Sequence, residues 1–218
     1  TPPPPTHTHT STPSSAASDV YKRQYATRFT CPVRASEAAM PSIRLRQAAR
    51  AETFTVGRRF RIGDITIHTR EIPHDAAQVA LVFETKRARV GLVTDLGHVP
   101  DGLDRFLRDC ETLLLESNHD PDMLADGPYP AHLKRRVGGR FGHLSNGDAG
   151  DLLAALRHAP KRVVLMHLSE TNNAPHLARS SAEAALGHSG AKVLLAHQRQ
   201  PLALGDAHEP QLQLQLRL

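Results

Sequence analysis

The chain has no tryptophan, and aromatic residues make up only 4% of its 218 residues. A core must therefore be built from Leu, Val, Ile and Ala, and the length with 39% hydrophobic residues suits one globular domain better than two. Cys31 and Cys110 are its two cysteines, and they lie in dissimilar contexts without CxxC spacing. This pattern argues against a disulfide framework and favours a reducing compartment.

Long hydrophobic runs are also missing. No apolar stretch approaches the roughly 20 residues of a membrane helix, and the sequence contains no charged-then-apolar segment that resembles a signal peptide. We therefore expect a cytoplasmic protein with no membrane partner, whose oligomeric state the sequence does not indicate. The net charge of +5 is compatible with a polyanionic partner, and equally with an arginine-rich proteome.

The two ends of the chain differ from its middle in amino-acid composition and patterning. Pro, Thr and Ser dominate the first 18 residues, and SAASDVYKRQ resembles a translated sequencing adapter. We predict a disordered or artefactual low-complexity segment over 1–24, a folded domain over 25–200 and a tail over 201–218. His7 and His9 have HxH spacing, but no Asp-His pair follows, so no metal site is predicted there. The final QLQLQLRL alternates as an edge strand would, or is not ordered.

From about residue 53, antiparallel strands are predicted first, and strands then alternate with helices. This order predicts an α+β fold in which a sheet is layered by helices. Predicted strands cover 53–56, 60–62, 65–72, 79–85, 89–94, 112–116, 163–168 and 192–196. Predicted helices cover 103–108, 130–137, 146–157 and 175–186. Ser145, with Asp148 three residues on, is predicted to cap the third helix.

Histidine is abundant, with 14 residues, and several lie where predicted strands end. Strand ends can direct side chains into a shared cleft, and His with carboxylate is the ligand set that holds zinc or manganese. Each cluster has an ordinary structural interpretation by itself, as a turn, a core histidine or a helix cap. Their joint order and spacing favour a metal site. The clusters are Pro73-His74-Asp75, Thr94-Asp95-Leu96-Gly97, Gly142-His143-Leu144-Ser145 and His167-Leu168-Ser169.

These motifs, in this order, resemble those of metallo-β-lactamase-fold nucleases and phosphodiesterases. The 21-residue spacing from His74 to Asp95, GHLSN at 142–146 and VVLMHLSE at 163–170 carry the resemblance. The runs TDLGH, LESNHD, LKRRVGGRFGHLSN and HLSETNN are most similar to the YycJ/WalJ-type exonuclease-like branch. The resemblance covers about residues 45–200. It implies the C-terminal portion of an αβ/βα sandwich, with two mixed β-sheets flanked by helices.

The resemblance also implies roles for individual residues. His74 matches a ligand of the first metal, Asp95 the bridging and catalytic carboxylate, and His167 a ligand of the second metal. His143 matches a catalytic histidine that protonates the leaving group or holds the phosphate, a role that suits imidazole because it titrates near neutrality. The remaining candidates, for substrate contact or support of the site, are His119, Arg135, Arg140 and Ser169.

One departure from the family pattern is the absence of HxHxDH from the sequence. In the family, that motif supplies the other four residues of a site for two divalent ions, Zn or Mn. We therefore expect an N-terminally truncated member with an incomplete site, which binds metal weakly and is inactive alone.

The function implied is that of a metal-dependent phosphodiesterase or nuclease, which uses a two-metal-activated hydroxide on nucleic acid. Single-stranded DNA is the polymer favoured by analogy with the branch. One alternative is a hydrolase of a small phosphodiester, lactone or thioester. Another is a non-catalytic remnant that binds polyanions through the basic run Lys134, Arg135, Arg136 and Arg140.

Overall fold

The computed structural model describes residues 32–40, 51–198 and 200–204. They belong to two compact units, one up to Phe60 and the other from Arg61. The predictions for 1–24, with His7 and His9, and for the QLQLQLRL run lie outside the described residues.

The first unit contains a parallel pair of short strands, β1 (Val33–Ser36) and β2 (Ala51–Phe54). Arg34 joins the two strands through an ion pair of 2.6 Å with Glu52. Phe54 stacks on Phe60, with 5.1 Å between the ring centroids. The first strand was not predicted, and the second ends two residues earlier than predicted.

The second unit is built on a mixed sheet whose strands follow one another in chain order. The strands are β3 (Phe60–Ile62), β4 (Ile65–Ile72), β5 (Gln78–Glu84), β6 (Arg89–Val93), β7 (Thr112–Glu116), β8 (Arg162–Met166) and β9 (Lys192–Leu195). β4, β5 and β6 pair antiparallel, whereas β6 to β9 pair parallel. The sequence of antiparallel strands followed by parallel ones confirms the predicted order.

Helices connect the parallel strands, as such strands require. The helices are α1 (Leu103–Phe106), α2 (Pro121–Asp126), α3 (Ala131–Val137), α4 (Asn146–Ala155) and α5 (Pro175–Leu186). α4 is capped as predicted, because the Oγ of Ser145 accepts a hydrogen bond of 3.1 Å from the amide of Asp148. α4 and α5 pack against each other, and the Oγ of Ser181 donates to the carbonyl of Asn146 at 2.7 Å.

The core of this unit lies between the parallel strands and the helices. Leu113 and Leu115 of β7, Val163 and Leu165 of β8, and Leu152 of α4 are almost fully buried. Strands covered on both faces have nearly continuous apolar runs, which is why TLLLE and VVLM are recognisable in the sequence. The α+β class with a sheet flanked by helices is confirmed.

Two differences from the prediction concern the region of the strand ends. α2 was not predicted, although its Asp120 N-cap accepts from two amides and Pro121 occupies the first turn. β8 ends at Met166, two residues earlier than predicted, since His167 leaves the strand conformation with a φ of 58°. Across the ranges described, no helix has both the length and the apolar character needed to cross a membrane.

Candidate metal and catalytic centre

Several strands of the large sheet end at the same edge. In the parallel part, Val93 lies opposite Leu115, and Glu116 opposite Met166. β4 runs in the same direction as β6, and the Gly97 amide donates to the Pro73 carbonyl at 2.8 Å. The residues that end or follow these strands therefore meet at one edge.

Four side chains form a tight polar cluster at this edge. Asp95, Glu116, His143 and His167 each offer a ligand atom, and these atoms all lie within 4.8 Å of one another. The ring centroids of His143 and His167 are 5.0 Å apart, and those of His74 and His143 are 5.1 Å apart. The structure thus brings together His74, Asp95, His143 and His167, four residues predicted from the sequence.

Glu116, which the sequence analysis did not select, lies at the centre of this cluster. Its side chain is fully buried, and its Oε1 accepts from Nδ1 of His143 at 2.9 Å and from Nδ1 of His167 at 2.6 Å. Its Oε2 accepts from the amides of Leu96 at 2.7 Å and Leu144 at 3.3 Å. Because four donors occupy this carboxylate, Glu116 positions the histidines rather than serving as a metal ligand.

The pKa of Glu116 reflects the same contacts. Burial by itself raises the pKa of a carboxyl group, but the hydrogen bonds from His143 and His167 outweigh it and lower this one to about 2. Glu116 therefore carries a full negative charge at neutral pH. That charge holds both imidazole rings with Nδ1 as the donor.

His74 is oriented by the main chain instead. Its Nδ1 donates to the carbonyl of Gly142 at 2.8 Å, so that Nε2 is the nitrogen available to a ligand. Nε2 lies 3.1 Å from Oδ1 of Asp75. The Asp75 carboxylate therefore lies at the nitrogen that His74 would offer to a metal ion.

Asp95 and His167 both have backbone conformations that side-chain-bearing residues rarely adopt. Their φ angles are 56° and 58°, in the left-handed region. Strained residues persist where surrounding contacts determine them, and they concentrate at functional sites. Gln78 donates to Oδ2 of Asp95 at 2.7 Å, and the side-chain amide of Asn118 donates to the His167 carbonyl at 2.8 Å.

A buried amide network lies behind the histidines. The side chains of Asn146 and Asn173 donate to each other, at 2.9 and 3.0 Å. Asn173 also donates to the carbonyls of Ser117 and Asn118, and the Ser117 hydroxyl donates to Asn146 at 2.6 Å. Fully paired buried amides fix one backbone arrangement. The segment after β7 is thereby held against the start of α4.

One basic residue of α3, Arg136, contacts Asp75, which follows His74 in the chain. Arg136 donates to Oδ2 of Asp75 from two nitrogens, at 2.9 and 2.5 Å. Partial burial by itself would raise the pKa of Asp75, but this hydrogen bond, with the nearby charges, lowers it. The predicted substrate-binding candidates Arg135 and Arg140 are both exposed.

The other two candidates are His119 and Ser169, and both have structural contacts. His119 is only 4% exposed, and burial together with nearby His143 lowers its pKa, which keeps the imidazole neutral. The Oγ of Ser169 accepts from the amides of Asn172 at 3.0 Å and Thr171 at 3.3 Å, so it closes the turn after His167. A supporting role fits both positions better than substrate contact.

The donor set fits a divalent metal. His74 and His167 both have Nδ1 engaged with an oxygen, and such outer contacts fix metal-binding histidines with Nε2 as the ligand atom. Asp95 presents Oδ1 at 3.5 Å from Nδ1 of His167. Nitrogen and carboxylate oxygen in this combination suit zinc and manganese.

A family model described as "Beta-lactamase superfamily domain" matches residues 9–168 of this chain. The chain belongs to the beta-lactamase superfamily. Over 130 residues it is 36% identical to a Bacillus anthracis protein named exodeoxyribonuclease YycJ, covering 59% of this chain and 49% of that protein. Over 128 residues it is 34% identical to exodeoxyribonuclease WalJ of Streptococcus pneumoniae, covering 57% and 47%. The chain thus spans about half the length of these curated relatives.

A solved structure supports the fold of this superfamily member independently. The metallo-beta-lactamase fold protein YhfI from Bacillus subtilis superposes with a TM-score of 0.62 at 17% identity, covering 83% of this chain and 70% of YhfI. At this identity the likeness concerns the fold alone. It confirms the metallo-β-lactamase architecture, and the named relatives confirm the resemblance to the YycJ/WalJ branch.

Proposed function

We propose that this chain carries the leaving-group histidine and part of the metal-ligand set of a phosphodiesterase that acts on nucleic acid, with single-stranded DNA as its first candidate substrate. The observation that carries the proposal is the buried Glu116, which orients His143 and His167 beside Asp95. Two relatives named exodeoxyribonucleases support the choice of a nucleic acid.

His74, Asp95 and His167 are the proposed metal ligands of this chain. A divalent metal, when bound, activates water for attack and neutralises the charge of the phosphate. The chain's contribution is to fix the donor atoms. Gly142 holds His74, Glu116 holds His167, and Gln78 holds Asp95, each through one hydrogen bond of 2.6 to 2.8 Å.

His143 is the proposed proton donor. Because its Nδ1 donates to Glu116, its Nε2 is the nitrogen that can pass a proton to the leaving oxygen of the phosphodiester. The ionised Glu116 stabilises the doubly protonated ring before the transfer. The His143 side chain is one-quarter exposed, so part of the ring is accessible to a substrate.

The exposed cations beside the cluster are proposed to attract the substrate backbone. Arg135 lies on α3, and Arg140 lies in the loop that leads to His143. Arg136 is already paired with Asp75, so we assign phosphate contact to Arg135 and Arg140 rather than to Arg136. His119 and Ser169 are proposed to support the loops that carry the reacting groups.

This chain by itself is proposed to hold metal weakly. The sequence contains no HxHxDH motif, and three ligands shared between two ions leave each ion short of partners. We therefore infer slow or absent turnover by the 218-residue chain alone.

The test measures metal content and cleavage of single-stranded DNA, with zinc and then manganese, for this chain and its His167→Ala variant. The Bacillus anthracis relative serves as the full-length control. We expect weak metal binding that the variant reduces further, no cleavage by the chain, and cleavage by the control. Tight binding of two metals with turnover by the chain would overturn the inference of an incomplete site.

The basic surface favours a second candidate, a module that binds polyanions without cleaving them. Two outcomes of the same test separate it from the first. DNA binding that is indifferent to His167→Ala, in a chain that holds no metal, would favour this second function. DNA binding by a chain that also holds metal weakly, with metal binding reduced in His167→Ala, would favour the first.

A further inference from the structure

The feature that the proposed function leaves unexplained is Phe141, whose side chain is 57% exposed. It lines an open cleft of about 480 Å³ together with Pro73, His74, Gln78 and Pro100. The cleft therefore contains one of the proposed metal ligands, and it is large enough for a nucleotide. A single exposed apolar residue is ordinary by itself. Phe141 is distinguished by its position in the cleft that contains His74.

Phe141 is held in place by main-chain contacts on both sides. A Cβ on Gly97 would overlap the Arg140 carbonyl oxygen and come within 2.6 Å of the Phe141 Cα. The Nδ1 of His98 donates to the Arg140 carbonyl at 2.9 Å. Because the backbone of 140–141 lies directly on 97–98, the ring is presented to solvent by a fixed support.

The next residues tie the same loop to the catalytic histidine. The Gly142 amide donates to the Gly139 carbonyl at 2.8 Å, and the His143 amide donates to the Val137 carbonyl at 2.8 Å. A Cβ on Gly142 would overlap the carbonyl oxygens of Arg136 and Val137. The Gly142 carbonyl in turn holds His74. The backbone that carries Phe141 is thus fixed relative to both His74 and His143.

The Phe141 ring has an aromatic neighbour, and more than half of the residue is exposed. His98 meets it at an interplanar angle of 82°, with 6.4 Å between the centroids, which is an edge contact. Arg140 is exposed immediately before it. An aromatic face beside a cation is the combination with which proteins bind single-stranded nucleic acid, stacking on the base and attracting the phosphate.

We propose that Phe141 is a base-stacking platform, which binds the nucleobase adjoining the phosphodiester held at His74 and His143. This inference rests on the proposed function, since it names the part of the nucleic acid that the cleft recognises. Stacking tolerates every base because each has a π face. The subsite therefore selects for the presence of a base rather than for a sequence.

The absence of tryptophan from the chain permits a direct test. The F141W variant carries the only indole, and it is titrated with a short oligo-dT and with an abasic oligonucleotide of the same length and charge. EDTA is present, so that no cleavage occurs. We expect quenching of the indole emission by oligo-dT and none by the abasic strand. An I62W variant, at an exposed position outside the cleft lining, is the control and should show no quenching.

The affinity of the unmodified chain and of F141A is measured in parallel by anisotropy of labelled strands. We expect F141A to bind oligo-dT about tenfold more weakly, within the range of one stacked base, and to bind the abasic strand unchanged. Equal binding of both strands by the unmodified chain, or equal losses in F141A, would overturn the base subsite alone. No binding of either strand by the unmodified chain would overturn the proposed nucleic-acid function and the subsite with it.

Discussion

The side-chain amide of Asn118 donates a hydrogen bond of 2.8 Å to the main-chain carbonyl of His167. The Asn118 amide and carbonyl also bond to the Leu144 carbonyl and the Ser169 amide, each at 2.8 Å. One residue therefore connects the segment after β7 with the loops that carry His143 and His167. The contact also explains how His167 is held at its positive φ.

Replacing Asn118 with Asp should disturb the His167 site without changing side-chain size. A carboxylate would face the His167 carbonyl in place of a donor, and loss of an outer contact of this kind typically lowers metal affinity by about 10- to 100-fold. Zinc titration by calorimetry, with the unmodified chain as reference, measures the change. An unchanged zinc affinity would show that the loop keeps its conformation without Asn118.

The lowered pKa of Glu116 predicts that the stability of the folded chain depends on pH. Its pKa of about 2 in the folded chain lies below the ordinary value of 4.5, so its contribution is fully present above pH 4.5 and is lost as the pH falls towards 2. A difference of this size corresponds to roughly 3 kcal/mol.

Urea unfolding of the unmodified chain and of Glu116→Gln, between pH 6 and pH 3, checks this dependence. The variant should be less stable at pH 6, and the difference between the two proteins should narrow with acidification. A constant difference would mean that the Glu116 charge does not contribute to folding.

Gly97 should tolerate no side chain. In Gly97→Ala the added Cβ meets the main chain of Arg140 and Phe141 rather than a flexible side chain, so the backbone has to move. We expect a loss of more than about 2 kcal/mol in the free energy of unfolding, as for other mutations that overpack.

Gly147→Ala is the matched control for that substitution. Gly147 lies in the first turn of α4, and a Cβ added there would meet the Ser145 Oγ at an ordinary contact distance of 3.7 Å. Alanine should there be neutral or stabilising by up to about 1 kcal/mol because of its helix propensity. Equal effects at both positions in denaturant unfolding would argue against the close approach at Gly97.

The phosphate contacts proposed for Arg135 and Arg140 predict how DNA binding depends on salt concentration. If each contacts one phosphate, the double alanine variant should reduce the slope of log K against log salt by about 1.4, at about 0.7 for each contact with a single strand. Fluorescence anisotropy over a salt series measures the slope.

Arg108→Ala is a suitable control for the salt series. Arg108 is exposed, and its carbonyl contacts Arg89 at the start of β6, at the end of that strand opposite to Asp95. Its removal should leave the slope within error of the unmodified chain. An unchanged slope in the double variant as well would indicate that the basic run is only a solvated helix face.

The strand ends were predictable because their signals are local. Apolar runs such as VVLM mark buried strands, and a polar residue that follows one is directed to a sheet edge. The order of His74, Asp95, His143 and His167 then indicated one shared site, which the geometry of this edge brings together. The capping of α4 by Ser145 was likewise encoded within four residues.

Glu116 and the amide network were missed because their roles depend on contacts between distant segments. Glu116 was assigned only to a buried strand, although a glutamate that ends an apolar run is itself a signal, since an unpaired buried charge is costly. Asn118, Asn146 and Asn173 lie 28 or 27 residues apart along the chain. Nothing in their local sequence indicates that they bond to one another. The first turn of α2 was also overlooked, although Asp-Pro at 120–121 is a helix-start signal.

A single oxygen, Oε1 of Glu116, accepts from both His143 and His167. The proposed proton donor and the proposed metal ligand are therefore not independent parts, and a shift of the carboxylate changes both together. Energetic coupling between two such positions makes the effects of their substitutions non-additive. A change that adapts His143 to a new leaving group would consequently alter the affinity for the metal ion at His167. Adaptation of this centre therefore has to proceed through paired substitutions.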